Sequence, residues 1–118
     1  KGKRIVGDSY EDFHPGDLVL IGPDLPHTWV TNRKEKHKNC DFVVIQFSNN
    51  LFNSFTHLGE FDRIKRLLQN SKHGLHFKNS KALKEKILGL PEKMGIEKIT
   101  DLIWILEQLS RQKGRKLA

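Results

Sequence analysis

The chain has 118 residues, of which 36% are hydrophobic and 30% charged, and its formal net charge is +7. This length accommodates one domain with a modest core. The single cysteine excludes an intramolecular disulfide framework, and six histidines without a second cysteine give no zinc-finger spacing. The positive charge would suit an anionic partner, but Lys and Arg occur in every segment, which is typical of a solvated surface.

No segment reaches the ~20 continuous apolar residues that a membrane span requires, and the first residues contain no hydrophobic signal region. We therefore expect a cytoplasmic protein with no membrane partner. The sequence begins at Lys1 and enters a strand pattern almost at once, which suggests a fragment of a longer protein.

The first 48 residues have the pattern of β structure, with short apolar segments separated by turn residues. A Gly-Asp pair at positions 7–8 predicts a hairpin, and a Gly-Pro-Asp loop at 22–24 joins the next two strands. The charged run at 32–39 predicts a surface loop. The predicted strands are Lys3–Val6, Tyr10–Phe13, Leu18–Ile21, Thr28–Thr31 and Phe42–Phe47.

From Ser48 onward the hydrophobic period changes from two to about 3.6, which predicts helices over residues 49–110. Strands followed by helices indicate an α+β fold with about three helices. The last helix should run from Glu97 to Gln112, and an extended segment at Leu75–Phe77 should interrupt the helical part. The basic residues 111–118 are predicted to be a linker or a frayed end.

The stretch HPGDLVLIGPDLPHTWVTN, at residues 14–32, resembles the second conserved motif of the cupins, G-x5-P-x-G-x2-H-x3-N. Aligned on Gly16 and His27, the motif proline and asparagine each come one residue late, at Pro23 and Asn32, and aspartate replaces the second glycine. With the loop GPDLPHTW, the later VVIQFS and the helical remainder, the chain resembles the cupin-type sensor domain of AraC-type (arabinose-regulator-like) bacterial transcription factors.

This resemblance implies a cupin-like jelly-roll β portion in residues 1–48 within a sensor domain of residues 1–110. It implies a small effector, such as a sugar, bound in the cavity of the sheet, and a homodimer. DNA would be bound only through a C-terminal helix-turn-helix domain that these residues do not include. The resemblance implies a regulator and not an enzyme, with no cofactor.

Three residues are candidates for the ligand site. Trp29 and Gln46 could hold a small polar ligand by stacking and hydrogen bonding, and His27 follows the loop at the mouth of the sheet. Alternatively, Trp29 fills the core and Gln46 pairs with the backbone. A cupin metal centre needs three histidines and a carboxylate, and the sequence supplies His27 alone, so we predict no metal site and no catalytic residue.

Two other function classes remain open. One is a small metal-dependent or ligand-binding cupin enzyme, although the sequence contains none of the common hydrolase or nucleotide-binding motifs. The other is a basic nucleic-acid binder, although no helix has the pattern of a recognition helix.

The last helix carries more apolar residues than one packing face needs. Trp104 and Ile105 lie off its main face and would leave an apolar patch in a monomer, which usually marks a partner. We therefore predict a two-fold dimer interface on this helix. Its residues would be Leu102, Trp104, Ile105 and Leu109.

Overall fold

The computed structural model describes residues 2–31, 45–47 and 50–118, which form two small antiparallel sheets and three helices. The predicted α+β class is confirmed. In chain order the elements are β1 (Gly2–Val6), β2 (Ser9–Phe13), β3 (Leu18–Leu20), β4 (His27–Thr31), α1 (Asp62–Asn70), β5 (Leu75–Phe77), α2 (Lys81–Gly89), α3 (Gly95–Ser110) and β6 (Arg115–Lys116).

The first sheet has the order β2-β1-β4. The predicted hairpin joins β1 to β2, and Gly7 permits the turn because its φ of 57° is in the left-handed region. Side chains alternate along β1, so Arg4 and Val6 are both buried on the same face. Cross-strand pairing places Glu11 and Trp29 on either side of Arg4.

The second sheet has the order β3-β5-β6. Leu75 and Phe77 alternate with His76 along β5, so one face of this strand joins the helical core and the other does not. Leu18 and Leu20 of β3 pack against the same core. The sheet therefore separates the apolar helical layer from a polar layer on the side of His76.

Each helix contributes buried residues to the core cluster that also contains Leu75 and Phe77 of β5. In α1, Ile64 and Leu67 are buried while the intervening positions are exposed, as a 3.6-residue period requires. The Ser80 side chain caps α2 by accepting a hydrogen bond from the Leu83 amide at 3.1 Å. No helix among the described residues is long and apolar enough to cross a membrane.

Three of the four residues predicted for a dimer interface are buried within the chain. Leu102, Ile105 and Leu109 are 8%, 3% and 3% exposed, because α1 and α2 both pack on α3 and cover its wide apolar arc. Trp104 is half-buried, and the Lys86 ammonium lies 5.6 Å from the centroid of its ring. Intrachain packing therefore accounts for most of the apolar excess of this helix.

Residues 111–118, which the sequence predicts to be a linker or a frayed end, include a short strand. Arg115–Lys116 forms β6 and pairs with β5, and beyond it the Leu117 and Ala118 amides donate to the Gly74 and His73 carbonyl oxygens at 2.9 and 2.8 Å. The sequence pattern did not reveal this strand because its side chains are exposed and its stability comes from backbone pairing.

The predicted surface loop at 32–39 lies outside the described residues. So does the first half of the predicted strand Phe42–Phe47, and its described second half, Ile45–Phe47, is not in a strand. Ile45 and Phe47 nevertheless pack against the helical core. This segment therefore contributes apolar contacts to the core.

Candidate functional site

A cleft with a volume of about 380 Å³ lies between helix α1 and the C-terminal segment, over strand β5. This volume is at the lower end of the range for small-molecule sites, about 300 to 1,000 Å³. We call it the basic cleft. Its lining residues are Arg63, Arg66, Leu67, Asn70, Leu75, Ser110, Gln112, Lys113, Gly114 and Lys116.

One wall of the basic cleft is a single face of α1. Arg63, Arg66, Leu67 and Asn70 are spaced i, i+3, i+4 and i+7, and such residues lie along one side of a helix. Leu67 is buried at the base of this wall, while the two arginines and the asparagine are exposed. Because α1 also packs on α3, the backbone that carries the arginines is fixed relative to the core.

The opposite wall is the C-terminal segment from Ser110 to Lys116, which specific contacts hold in place. The Gln112 side chain accepts a hydrogen bond from the Lys78 amide at 3.1 Å and donates one to the Lys78 carbonyl oxygen at 3.0 Å. Gly114 lies against the Phe77 ring so closely that an added Cβ would come within 2.8 Å of it. The segment therefore presents its side chains from a defined backbone.

Four cationic side chains, two on each wall, give the basic cleft its electrostatic character: Arg63, Arg66, Lys113 and Lys116. None of the described lining residues is acidic, and none of these four cations forms an ion pair within the described part of the chain. Like charges that face each other across a cleft repel, and an anion between them removes that repulsion. Buried Leu67 and Leu75 complete an apolar floor. The arrangement suits a small anion with an apolar portion.

A second group of charges connects the two sheets, and we call it the inter-sheet ion cluster. Asp17 accepts hydrogen bonds from Arg4 Nε at 2.7 Å on Oδ2 and from Arg4 Nη2 at 3.3 Å on Oδ1. The His76 ring Nε2 lies 2.9 Å from Asp17 Oδ1. Glu11 lies 3.5 Å from Arg4 Nη1 without hydrogen-bond geometry, and 3.2 Å from Arg115 Nη2. Strands β1, β2, β5 and β6 are thereby linked through charged side chains.

The contacts of the inter-sheet ion cluster indicate a structural role. Arg4 is 2% exposed, so its guanidinium needs the Asp17 carboxylate to offset the loss of water. The hydrogen bond from Arg115 holds the pKa of Glu11 below its usual value. No hydroxyl or thiol of the described residues hydrogen-bonds to His76, so the Asp17–His76 pair has no nucleophile to activate there. In the same part of the chain, no group of three His, Cys, Asp or Glu side chains is placed to hold a metal ion.

Two of the three predicted ligand-binding residues are neighbours in the structure. The His27 and Trp29 rings meet edge to face, with centroids 5.9 Å apart and planes at 76°, because alternate residues of β4 share a face. His27 is exposed, and its Nδ1 lies 2.9 Å from the Leu25 carbonyl oxygen. Gln46 is exposed, and no contact links it to either ring among the described residues. None of the three lines the basic cleft.

The sequence reasoning missed the basic cleft because its two walls are far apart in the chain. The arginines of α1 and the lysines of the C-terminal segment come together only when β6 pairs with β5. A usable local signal did exist in α1, where Arg63 directly precedes the buried Ile64 and Arg66 directly precedes the buried Leu67. The second signal was a glycine within the basic tail, since Gly114 marks close backbone packing.

Comparisons with protein-family models, with curated proteins and with solved structures find no match to this chain. Its function is therefore inferred from its own residues and their geometry.

Proposed function

We propose that this chain is a ligand-binding domain without catalysis of its own and that it takes up a small anionic molecule in the basic cleft. One observation carries the proposal: four cationic side chains without described ion-pair partners line a cleft that is large enough for a small ligand. Unpaired surface cations are common, but their convergence from two separate segments onto a concave apolar floor is a feature of binding sites.

In the wider proposal, the ligand is the effector of a cytoplasmic AraC-type regulator. The cupin-like loop around His27 and the change from strands to helices support this proposal. The domain would sense its effector and dimerise, and a separate C-terminal domain would bind DNA. The neighbouring His27 and Trp29 rings, which sequence reasoning assigns to the effector site, are the competing location for the ligand.

Thermal-shift measurements with inorganic phosphate, malonate and the neutral sugar arabinose test the proposal. A ligand that binds only the folded state raises its stability, by about 2.7 kcal/mol at a concentration of 100 Kd. We expect the anions to raise the melting temperature and arabinose to leave it unchanged.

The variant Arg66→Gln should abolish the anion effect, because Arg66 lines the basic cleft. The matched control is Lys65→Gln, which removes one positive charge from the neighbouring position of the same helix, outside the cleft. Equal anion effects in the two variants would mean nonspecific screening of the net charge. Stabilisation by arabinose that is lost in Trp29→Ala would instead favour the His27–Trp29 site.

A further inference from the structure

We propose that the ligand is an organic phosphate, and that the basic cleft binds its phosphate as the dianion. This inference rests on the proposed function, since it names the chemical class of the anion. Three features of the cleft distinguish a phosphate ester from other small anions: the number of cations, the type of cation and the apolar floor.

The charge of the cleft exceeds what one carboxylate can balance. Arg63 and Arg66 on one wall and Lys113 and Lys116 on the other carry four positive charges in total. A carboxylate brings a single negative charge, whereas a phosphate monoester brings about −1.5 to −2 at pH 7, with three acceptor oxygens. A dianion with several oxygens can contact both walls at once, so it relieves more of the repulsion between them.

The donors also match a phosphate group. Arginine presents a planar fork that fits phosphate oxygens two at a time, and lysine adds a mobile point charge. Asn70 offers an amide donor on the arginine wall, and no partner of its side chain is found in the described part of the chain. Gln112 is already committed to the Lys78 backbone, so it positions the lysine wall and is not a free donor.

The apolar floor calls for an organic part on the ligand. Leu67 and Leu75 are 6% and 4% exposed at the base of the cleft. An aliphatic or aromatic group on the phosphate would cover the remaining apolar surface and gain about 25 cal/mol for each Å² removed from water. Free inorganic phosphate would lack this contribution and should bind less tightly than its esters.

The cleft has a further property that makes the inference testable by pH. Its described lining contains no histidine, the side-chain type that ordinarily changes charge between about pH 5 and 8, and no carboxylate. Two histidines are on the elements beside it, but His76 faces Asp17 on the opposite side of β5, and His73 lies 3.1 Å from the Ala118 carbonyl oxygen. A phosphate monoester loses its second proton near pH 6. Affinity should therefore follow the ionisation of the ligand.

Isothermal titration of the whole chain with phenyl phosphate and phenyl sulfate is the test, because the sulfate ester keeps one negative charge throughout this range. The dianionic fraction of the phosphate rises from roughly a tenth at pH 5 to nearly all at pH 7.5, so we expect its affinity to rise about tenfold. Phenyl sulfate should bind more weakly and with a flat profile. The variant His73→Gln should preserve the tenfold rise.

Equal affinities for the two esters at pH 7.5, or a rise that disappears in His73→Gln, would overturn the phosphate assignment. If both esters bind equally and Arg66→Gln abolishes both, the anion-binding function stands and only the ligand class is wrong. If neither ester binds, the proposed function fails as well, provided that circular dichroism shows both the parent chain and Lys65→Gln to be folded.

Discussion

Replacing Asp17 with asparagine should lower the free energy of unfolding of this protein more than any comparable change to a surface charge. Asp17→Asn keeps the side-chain volume but removes the negative charge that faces Arg4 and His76. The Arg4 guanidinium would then remain in the interior, at 2% exposure, with Glu11 at 3.5 Å as its nearest described counter-charge. An uncompensated buried charge is one of the few mechanisms that produce a large loss of stability.

The magnitude follows from the burial of Arg4. Removing one partner of a buried ion pair costs about 3 to 5 kcal/mol. Glu11 continues to offset part of the charge, so we expect the lower end of this range, about 3 kcal/mol in the free energy of unfolding. That loss is a large share of the about 5 to 15 kcal/mol typical of a domain.

Urea unfolding followed by tryptophan fluorescence measures the change, as a shift of the midpoint at constant slope. The matched control is Asp12→Asn, which removes the same charge from an exposed pair with Lys3 and should have little effect. In Arg4→Met with Asp17→Asn, stability should partly recover, because the buried cation is gone as well. A loss below about 1 kcal/mol in Asp17→Asn would refute the argument, since it would mean that Arg4 needs no buried partner.

Three further outcomes are expected. Ser80→Ala should lower the free energy of unfolding by about 1 kcal/mol in urea titrations, because the first-turn amide of α2 loses its cap; no change would contradict the capping role. Glu11→Gln should lower the melting temperature at pH 7, because Arg115 lowers the pKa of Glu11 and its carboxylate therefore stabilises the folded state. The difference should shrink as the pH falls below the ordinary carboxyl value of 4.5 and Glu11 is protonated; a difference that does not shrink below that pH would refute this account. Gly114→Ala should weaken phosphate binding in calorimetry, because the new Cβ would collide with the Phe77 ring and displace the lysine wall; unchanged affinity would show that this wall is not needed.

Local patterns predicted the elements whose stability is local. The hairpin at Gly7 and the extended segment at Leu75–Phe77 follow from turn and alternation chemistry, and both are present. The bounds of α3 differ by two residues at each end from those predicted, Gly95–Ser110 against Glu97–Gln112. Helix ends are set by backbone contacts that side-chain periodicity does not record.

Sequence patterns did not predict the features that depend on contacts between residues far apart in the chain. Nothing in the sequence shows that Arg4 would be buried against Asp17, because a lysine- and arginine-rich chain gives each cation the same local appearance. The strand at Arg115–Lys116 exists because β5 offers it an unpaired edge. For the same reason the basic cleft, which needs that strand, could not be located from the sequence.

Chemical-shift mapping by NMR with phenyl phosphate tests the central claim, that the ligand occupies the basic cleft, most directly. The claim predicts that the amide shifts which saturate on titration cluster in α1 around Arg66 and in the segment from Ser110 to Lys116. Saturating shifts confined to β4 around His27 and Trp29, with α1 and the C-terminal segment unaffected, would contradict it.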